Sequence, residues 1–245
     1  YFLTHHGTGD WSGRIVSLLP VTWVQDWPIP GEVLPQNIGT MKWDGKIPFK
    51  HTEKLSIKRS DDFDEDCLAP QWQWNYQPRK DYFSLTERPG WLRLKAYRPL
   101  ETNNLLKAGN TLTQRTFRKQ NNDVTIKMDI SNMQDGQKNG LCHFSSQHSA
   151  IGIVKEEDAC YLEYRKNGNI TKGIQIHSEF VWFRTEWGMD GKSQYYYSLD
   201  GDNFLPFGEK YQLTWGNYRG DRIGIYCFND KKETGSVDVD YCHYR

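Results

Sequence analysis

Hydrophobic and polar positions alternate along much of this chain, in short runs that end at turn-forming residues. The segments LTQRTF (112–117) and DVTIKMDI (123–130) show the period of two that is typical of half-buried strands. The Pro-Gly pair at 89–90 is a turn signal, and the alternating segment 91–94 follows it. These patterns predict antiparallel strands joined by short turns.

Similar segments continue to the C-terminus, each bounded by polar turns. Further strands are predicted at 139–144, 150–155, 160–166, 174–177, 180–186, 194–198, 211–215, 222–228 and 236–244, with an edge strand at 55–58. We find no convincing amphipathic helix among them. So many short strands at regular spacing predict a two-sheet β-sandwich over residues 56–245.

The N-terminal part has a different organisation. Strands are predicted at 1–6 and 14–19, on either side of a glycine-rich turn. A lone hairpin is marginal in water, so these strands should complete a sheet that lies mostly outside this sequence. Residues 28–55 are rich in proline and glycine and are predicted to form an irregular linker that lies against the domains.

Composition argues against nucleic acid and membranes as partners, and it allows two roles for the aromatic residues. The formal net charge is +0, so no general field attracts nucleic acid or an anionic membrane, and no apolar run has the length of a membrane span. Aromatic residues make up 14% of the chain. They predict an aromatic-rich core, with some rings open for stacking on sugars. An exposed row of Trp182, Trp187 and Tyr195 would favour a polysaccharide-binding surface, and their burial would count against it.

The chain has five cysteines, and none are spaced as in a metal-binding C-x-x-C motif. They are interpreted as buried reduced thiols, with a Cys227–Cys242 disulfide left as the alternative. Reduced thiols weakly favour a reducing, cytoplasmic compartment, whereas secretion stays open because no signal peptide could be judged from Tyr1 onward.

Four segments together resemble glycoside hydrolase family 43. The segment FLTHHGTGDWSGRIVSLLPVTWVQDWPIPGE (2–32) resembles the last blade and exit strand of the family's five-bladed β-propeller. The segments YYYSLDGDNFLPFGE (195–209), RGDRIGIYCFN (219–229) and GSVDVDYCHYR (235–245) resemble strands of its C-terminal sandwich. The resemblance implies an all-β chain: a last-blade hairpin at 1–27, a linker at 28–55, and a concanavalin-A-like antiparallel β-sandwich at 56–245.

The resemblance also implies a function. Family 43 enzymes are inverting glycosidases, and this type releases xylose or arabinofuranose from arabinoxylan or arabinan. Their three catalytic carboxyl groups lie on earlier blades, so no catalytic residue is expected in this chain. Its expected partners are the saccharide, the remainder of the propeller on the same or another chain, and, in one interpretation, a second copy of itself. A non-catalytic carbohydrate-binding module and a purely structural domain are the alternatives.

Candidate pocket residues follow from the same resemblance. An axial histidine of the family helps to hold a water molecule or calcium ion under the substrate, and His5 and His6 are the candidates, His6 being preferred because it abuts the glycine turn. Arg14 could donate to sugar hydroxyls at the rim of the pocket. A loop of the sandwich can close the pocket in this family, and Asn75 and Gln77 are its candidates here.

A structural calcium ion is expected in some members of the family, and no organic cofactor is. Asp62, near the first strand of the sandwich, and Asp240 or Asp238, in its last strand, would converge if those strands are neighbours. Calcium prefers several carboxylate and carbonyl oxygens. The alternative interpretation is that these are solvated acids on turns.

Overall fold

The computed structural model describes residues 1–5, 9–14, 16–46, 50, 57–216 and 219–245. In these ranges the paired strands run antiparallel, and 3-10 turns occur at Pro35–Asn37, Lys80–Tyr82 and Leu105–Lys107. No helix within them is long and apolar enough to span a membrane.

Short N-terminal strands form three separate hairpins, in which consecutive strands pair. They are β1 (Phe2–His5), β2 (Val16–Leu19), β3 (Val21–Val24), β4 (Trp27–Pro30), β5 (Val33–Leu34) and β6 (Ile38–Gly39). The expectation of an irregular linker is therefore wrong for residues 28–39. Proline is accommodated in β4 because each strand of a two-stranded sheet has one edge that needs no N–H donor. Residues 47–49 and 51–55 of the predicted linker lie outside the described residues.

The rest of the chain forms two larger sheets. The first has seven strands in the spatial order β15, β14, β13, β12, β20, β10 and β7. These strands are β7 (Gln73–Trp74), β10 (Thr111–Arg115), β12 (Gln137–Phe144), β13 (His148–Glu156), β14 (Ala159–Lys166), β15 (Asn169–Ile176) and β20 (Arg222–Asn229).

The second sheet has eight strands, in the order β18, β17, β16, β11, β21, β9 and β8, with β19 pairing beside β17. They are β8 (Phe83–Ser84), β9 (Leu92–Lys95), β11 (Asn122–Asp129), β16 (Phe180–Trp187), β17 (Lys192–Ser198), β18 (Leu205–Pro206), β19 (Tyr211–Gln212) and β21 (Ser236–Tyr244).

The main core lies between the two sheets. Alternation sends every second side chain inward, so Leu92 and Leu94 of β9 are fully buried. The outer face of the seven-stranded sheet carries a smaller apolar cluster. There Leu105 covers Tyr226 and Phe228. The seven-stranded sheet is thus partly buried on both faces.

Most strands lie where their alternation predicts them. Gly90, at φ 78°, and the Trp91 N–H to Arg88 C=O bond of 3.1 Å confirm the Pro-Gly turn. Strand β15 begins at 169 rather than 174, because Asn167 and Gly168 both adopt positive φ and turn the chain tightly after β14. Strand β19 ends at 212, and residues 57–58 of the predicted edge strand lie outside any strand.

All five cysteines are free thiols. Cys227 and Cys242 are both buried, but they lie on strands of different sheets. The interpretation as buried reduced thiols therefore holds for Cys142, Cys227 and Cys242, and the alternative Cys227–Cys242 disulfide is not formed. It is wrong for Cys67, which is exposed, and Cys160 is only partly buried.

Replacing Leu94 by alanine should lower the free energy of unfolding by about 2–5 kcal/mol, because a fully buried side chain leaves a cavity. Urea unfolding followed by tryptophan fluorescence measures this loss. Leu205→Ala is the matched control, since Leu205 is 55% exposed, and it should change stability by no more than about 0.5 kcal/mol. Equal losses in both variants would contradict the assigned core.

Candidate functional site

The turn between β1 and β2 packs against one end of the sandwich, and we call residues 9–14 the docking turn. Asp10 closes the turn through two hydrogen bonds. Its carboxylate oxygen Oδ1 accepts from the backbone N–H of Ser12 at 2.8 Å, and its backbone C=O accepts from the backbone N–H of Gly13 at 2.9 Å. Trp11 is 6% exposed and lies within the main core of the sandwich. One large side chain therefore anchors the hairpin of β1 and β2 to the sandwich.

Close approach at this contact depends on two glycines of the sandwich. A Cβ atom on Gly191 would lie 2.5 Å from the indole nitrogen of Trp11. Gly220 adopts φ 75°, and a Cβ atom there would lie 2.3 Å from the backbone nitrogen of Gly13. Any larger residue at either position would push the docking turn away from the sandwich.

Polar contacts fix the orientation of the docking turn. The backbone N–H of Asp221 donates to the C=O of Trp11 at 2.6 Å. The guanidinium of Arg118 forms an ion pair with Asp10 and lies 5.3 Å from the centre of the Trp11 ring. The turn is thus held by apolar burial, a backbone hydrogen bond and a charged pair.

A buried polar pair lies directly beneath this contact. His143 Nδ1 lies 2.9 Å from Asp221 Oδ1, and His143 Nε2 lies 3.0 Å from the hydroxyl of Thr185. The C=O of Asp221 accepts from Thr116 at 2.6 Å. Burial raises the pKa of Asp221, although the hydrogen bond from His143 opposes the rise. The pair joins β12, β16 and the start of β20 below the docking turn.

Thr185, His143 and Asp221 have the residue types of a hydrolase triad, but all three are fully buried. No substrate can reach them, so their role is structural. This pair was not among the residues predicted from the sequence. Leu141 and His143 are two residues apart on β12, so their side chains point to the same, inward face. This spacing could have indicated the pair, because an inward-facing histidine requires a buried partner.

The hairpin carries the first group of predicted pocket residues. His5 ends β1 opposite Val16, and its side chain is exposed. His6 lies outside the described residues. The guanidinium of Arg14 lies 5.8 Å from the centre of the Trp215 ring, at the end of the sandwich that receives the docking turn. The substrate roles of these residues stay predictions.

Asn75 lies at the other end of strand β10 from the docking turn. Its backbone N–H donates to the C=O of Thr111, the first residue of β10, at 2.9 Å. Arg115, the last residue of β10, donates to the C=O of Ser12 at 3.4 Å. Four residues of strand span about 13 Å. Asn75 and the docking turn therefore lie at opposite ends of β10.

The side chain of Asn75 also has a structural role. Its Nδ2 atom donates to the C=O groups of Leu106 and Ala108, both at 3.0 Å. An amide nitrogen has two hydrogens, so both are used. The predicted sugar contact through this nitrogen is not supported by the geometry. Gln77 is exposed on the loop beyond, and its predicted role remains a prediction.

The first and last segments of the sandwich are neighbours, as the calcium prediction required. Asp61 exchanges two backbone hydrogen bonds with Cys242, of 2.9 and 2.7 Å. However, the carboxylate of Asp62 lies 2.7 Å from Nε2 of His243. This aspartate therefore has a partner other than a metal ion.

The other candidate calcium ligands are paired with cations. Asp240 forms an ion pair with Lys127 at 2.7 Å, and Asp238 accepts from Arg93 at 2.7 and 2.8 Å. Across the described ranges, no three His, Cys, Asp or Glu side chains converge as a metal-binding group. Calcium prefers several oxygens free of such partners, so Asp62, Asp238 and Asp240 do not fit this ion.

The row of exposed rings that would favour a polysaccharide-binding surface is not formed. Trp187 and Tyr195 are buried at 3% and 0% exposure, whereas Trp182 lies on the outer face of the eight-stranded sheet beside Lys127. Trp182 and Trp187 are five residues apart on β16, and an odd separation places them on opposite faces. This finding counts against the interpretation of the sandwich as a non-catalytic carbohydrate-binding module.

Residues 60–245 match the family model described as the β-xylosidase C-terminal concanavalin A-like domain. A β-xylosidase of Formosa agariphila is 35% identical over 95% of this chain and 43% of its own length. An α-L-arabinofuranosidase of Bacteroides ovatus acting at non-reducing ends is 34% identical over 34% of this chain and 15% of its own length. A bifunctional GH43-CE protein of Bacteroides eggerthii superposes with a TM-score of 0.77 and 28% identity, over 96% of this chain and 31% of that one. The chain thus spans less than half the length of these relatives.

Replacing Trp11 by alanine should release the docking turn, because truncating a buried tryptophan or phenylalanine typically costs about 3–5 kcal/mol. Hydrogen–deuterium exchange should then speed up at least tenfold in β1 and β2 while β11 and β20 keep their protection. Trp27→Ala is the matched control, because Trp27 is 73% exposed. Unchanged protection of β1 and β2 in the Trp11 variant would contradict the anchoring role.

Proposed function

Because this chain belongs to the β-xylosidase C-terminal concanavalin A-like domain family of glycoside hydrolase family 43, we propose that it is part of an inverting exo-glycosidase. The enzyme releases xylose, arabinofuranose or both from hemicellulose. In it, the sandwich braces the propeller through the docking turn. The observation that carries this proposal is the uncovered apolar surface of the N-terminal hairpins.

These hairpins expose large apolar side chains that a stable domain would cover. Leu3 is 75% exposed on β1, Val16 is 65% exposed on β2, and Trp23 is 62% exposed on β3. Clustered apolar exposure of this kind marks a surface that meets another protein surface. We propose that the remaining sheets of a β-propeller, on the same or another chain, cover this apolar surface, since β1 and β2 alone are a marginal hairpin.

Inverting hydrolysis needs two carboxyl groups about 6.5–9.5 Å apart, one acting as the acid and one as the base that activates water. The carboxylates near the docking turn already have partners. Asp10 is paired with Arg118, and Asp221 is buried against His143. The proposal assigns the catalytic acid and base to the other propeller blades, as the resemblance to family 43 implies.

This chain contributes positioning and a part of the pocket rim. Arg14 and His5 lie on the hairpin that enters the propeller, and a guanidinium or imidazole there can hydrogen-bond sugar hydroxyls. Xylose and arabinofuranose present similar hydroxyls to a small pocket, so one site can serve both. Binding of arabinoxylan or arabinan by the whole enzyme follows from this proposal.

The alternative functions have less support. A free carbohydrate-binding module has no use for hairpins with uncovered apolar faces, and its expected ring row is largely buried. A purely structural role for the sandwich remains compatible with the docking contact. Such a role would still make the sandwich a part of the same glycosidase.

The whole protein should cleave p-nitrophenyl β-D-xyloside or α-L-arabinofuranoside with inversion, because water attacks the face opposite the leaving group. Proton NMR during the first minutes of xyloside cleavage should show α-xylose before mutarotation. The chain of 245 residues alone is the control and should release no nitrophenol. Early β-xylose, or cleavage by this chain alone, would contradict the proposal.

A further inference from the structure

Strand β15 (Asn169–Ile176) is the last strand of the seven-stranded sheet, and its outer edge is uncovered. In the described part of the chain it pairs with β14 and with no other strand. Six of its eight residues are exposed, including Ile170 at 43% and Ile174 at 50%. An edge strand presents unpaired N–H and C=O groups to which another strand can bind. The fold thus leaves one side of β15 open for pairing.

The other edges of the two sheets are protected by their short length. The strands at these edges are β7, β8, β18 and β19, and each has two residues. In β18, Pro206 also lacks an N–H group, and proline at an edge opposes pairing. Among the described strands, β15 therefore offers the long edge.

The hairpin of β14 and β15 determines which backbone groups point outward. Its turn at 167–168 has two residues, so Asn169 exchanges backbone hydrogen bonds with the residue opposite it on β14. Bonded and unbonded positions alternate along an antiparallel strand, so Thr171 also points to β14, whereas Ile170 and Lys172 point away. The N–H and C=O groups of Ile170 and Lys172 therefore lie on the open edge.

A β-bulge limits how far this edge can pair. The register of β14 and β15 shifts between Tyr161 and Glu163, opposite Gly173 and Ile174. A bulge bends the strand and interrupts regular pairing. The regular part of the edge is therefore 169–172, which predicts a small interface and a weak association.

We propose that two copies of this chain pair through their β15 edges, antiparallel about a two-fold axis at Thr171. In this register Ile170 of each copy lies opposite Lys172 of the other, and each such pair can exchange both of its N–H···O=C bonds. The two Thr171 side chains face each other on the axis, and cross-strand threonine pairs are favourable. The apolar stem of Lys172 can cover Ile170 of the second copy. One continuous sheet then runs through both copies.

Charge and strand length favour this register over its neighbours. An axis at Lys172 would place two lysines directly opposite each other, and like charges in that position are destabilising. An axis at Ile170 would place Lys172 opposite Gly168, beyond the end of the strand. Lys172 also forms an ion pair with Glu156 at 2.5 Å and lies 3.5 Å from the centre of the Tyr161 ring. The proposed register leaves these contacts within each copy and keeps the two lysines apart.

Sedimentation velocity of this chain tests the proposal, and the fraction of dimer should rise with protein concentration. Thr171→Asp and Thr171→Lys should each weaken dimerisation about fivefold or more, because each places like charges together on the axis. An equimolar mixture of these two variants should recover the dimer, because opposite charges then face each other. Gln175→Asp and Gln175→Lys are the matched controls, since Gln175 is exposed on the same strand beyond the bulge. They should change the dissociation constant less than about twofold.

A cysteine at the axis gives a second measurement. The native exposed thiol is first removed by Cys67→Ser. In that background, Thr171→Cys should form a covalent dimer when oxidised glutathione is added, because facing residues of an unbonded antiparallel pair have Cα atoms about 4.5 Å apart, within the reach of a disulfide. Gln175→Cys in the same background is the control and should form little covalent dimer.

Three results would overturn the proposal: a chain that stays monomeric at every concentration, a dimer that both charge variants keep, and a mixture of Thr171→Asp and Thr171→Lys that recovers no dimer. A monomeric chain that pairs instead with an unrelated strand-forming peptide would overturn the second copy as the occupant. Thermal melting shows whether each variant is folded, and the cysteine cross-link keeps the test valid if a charge variant does not fold. None of these measurements involves a sugar, so their outcome is independent of the proposed function.

Discussion

The burial of Trp11 in the end of the sandwich is the contact on which the arrangement of this chain depends. A buried tryptophan removes about 150–250 Å² from water, which at roughly 25 cal/mol per Å² contributes about 4–6 kcal/mol. Strands β1 and β2 form an isolated hairpin that could not supply this stability alone. The sandwich therefore determines where the hairpin lies, and with it the positions of His5 and Arg14.

The buried pair beneath Trp11 explains why this contact is rigid. Asp221 binds the docking turn through its backbone N–H and binds His143 through its carboxylate. A carboxylate in this position is costly to desolvate, and it persists because His143 and its neighbours satisfy it. His143 in turn reaches Thr185 in the opposite sheet. The two sheets and the docking turn consequently share one hydrogen-bonded network.

The fold could largely be predicted from the sequence, and the site could not. Period-two alternation located strands such as β10 and β11, because it depends only on neighbouring residues. The roles of Asn75 and of the His143–Asp221 pair depend on contacts between residues far apart in the chain, which no local pattern contains. The exposed ring row that would favour a binding module could be ruled out locally, since the odd spacing from Trp182 to Trp187 implies opposite faces of the strand.

The most direct test is to add this chain to a polypeptide that carries the remaining propeller blades and to measure hydrolysis of p-nitrophenyl β-D-xyloside and α-L-arabinofuranoside. The account predicts that neither part is active alone and that the mixture is active. It also predicts that the Trp11→Ala chain must be added at much higher concentration to reach the same rate. Activity of this chain by itself, or a mixture that gains nothing from it, would contradict the claim that the docked hairpin completes the propeller.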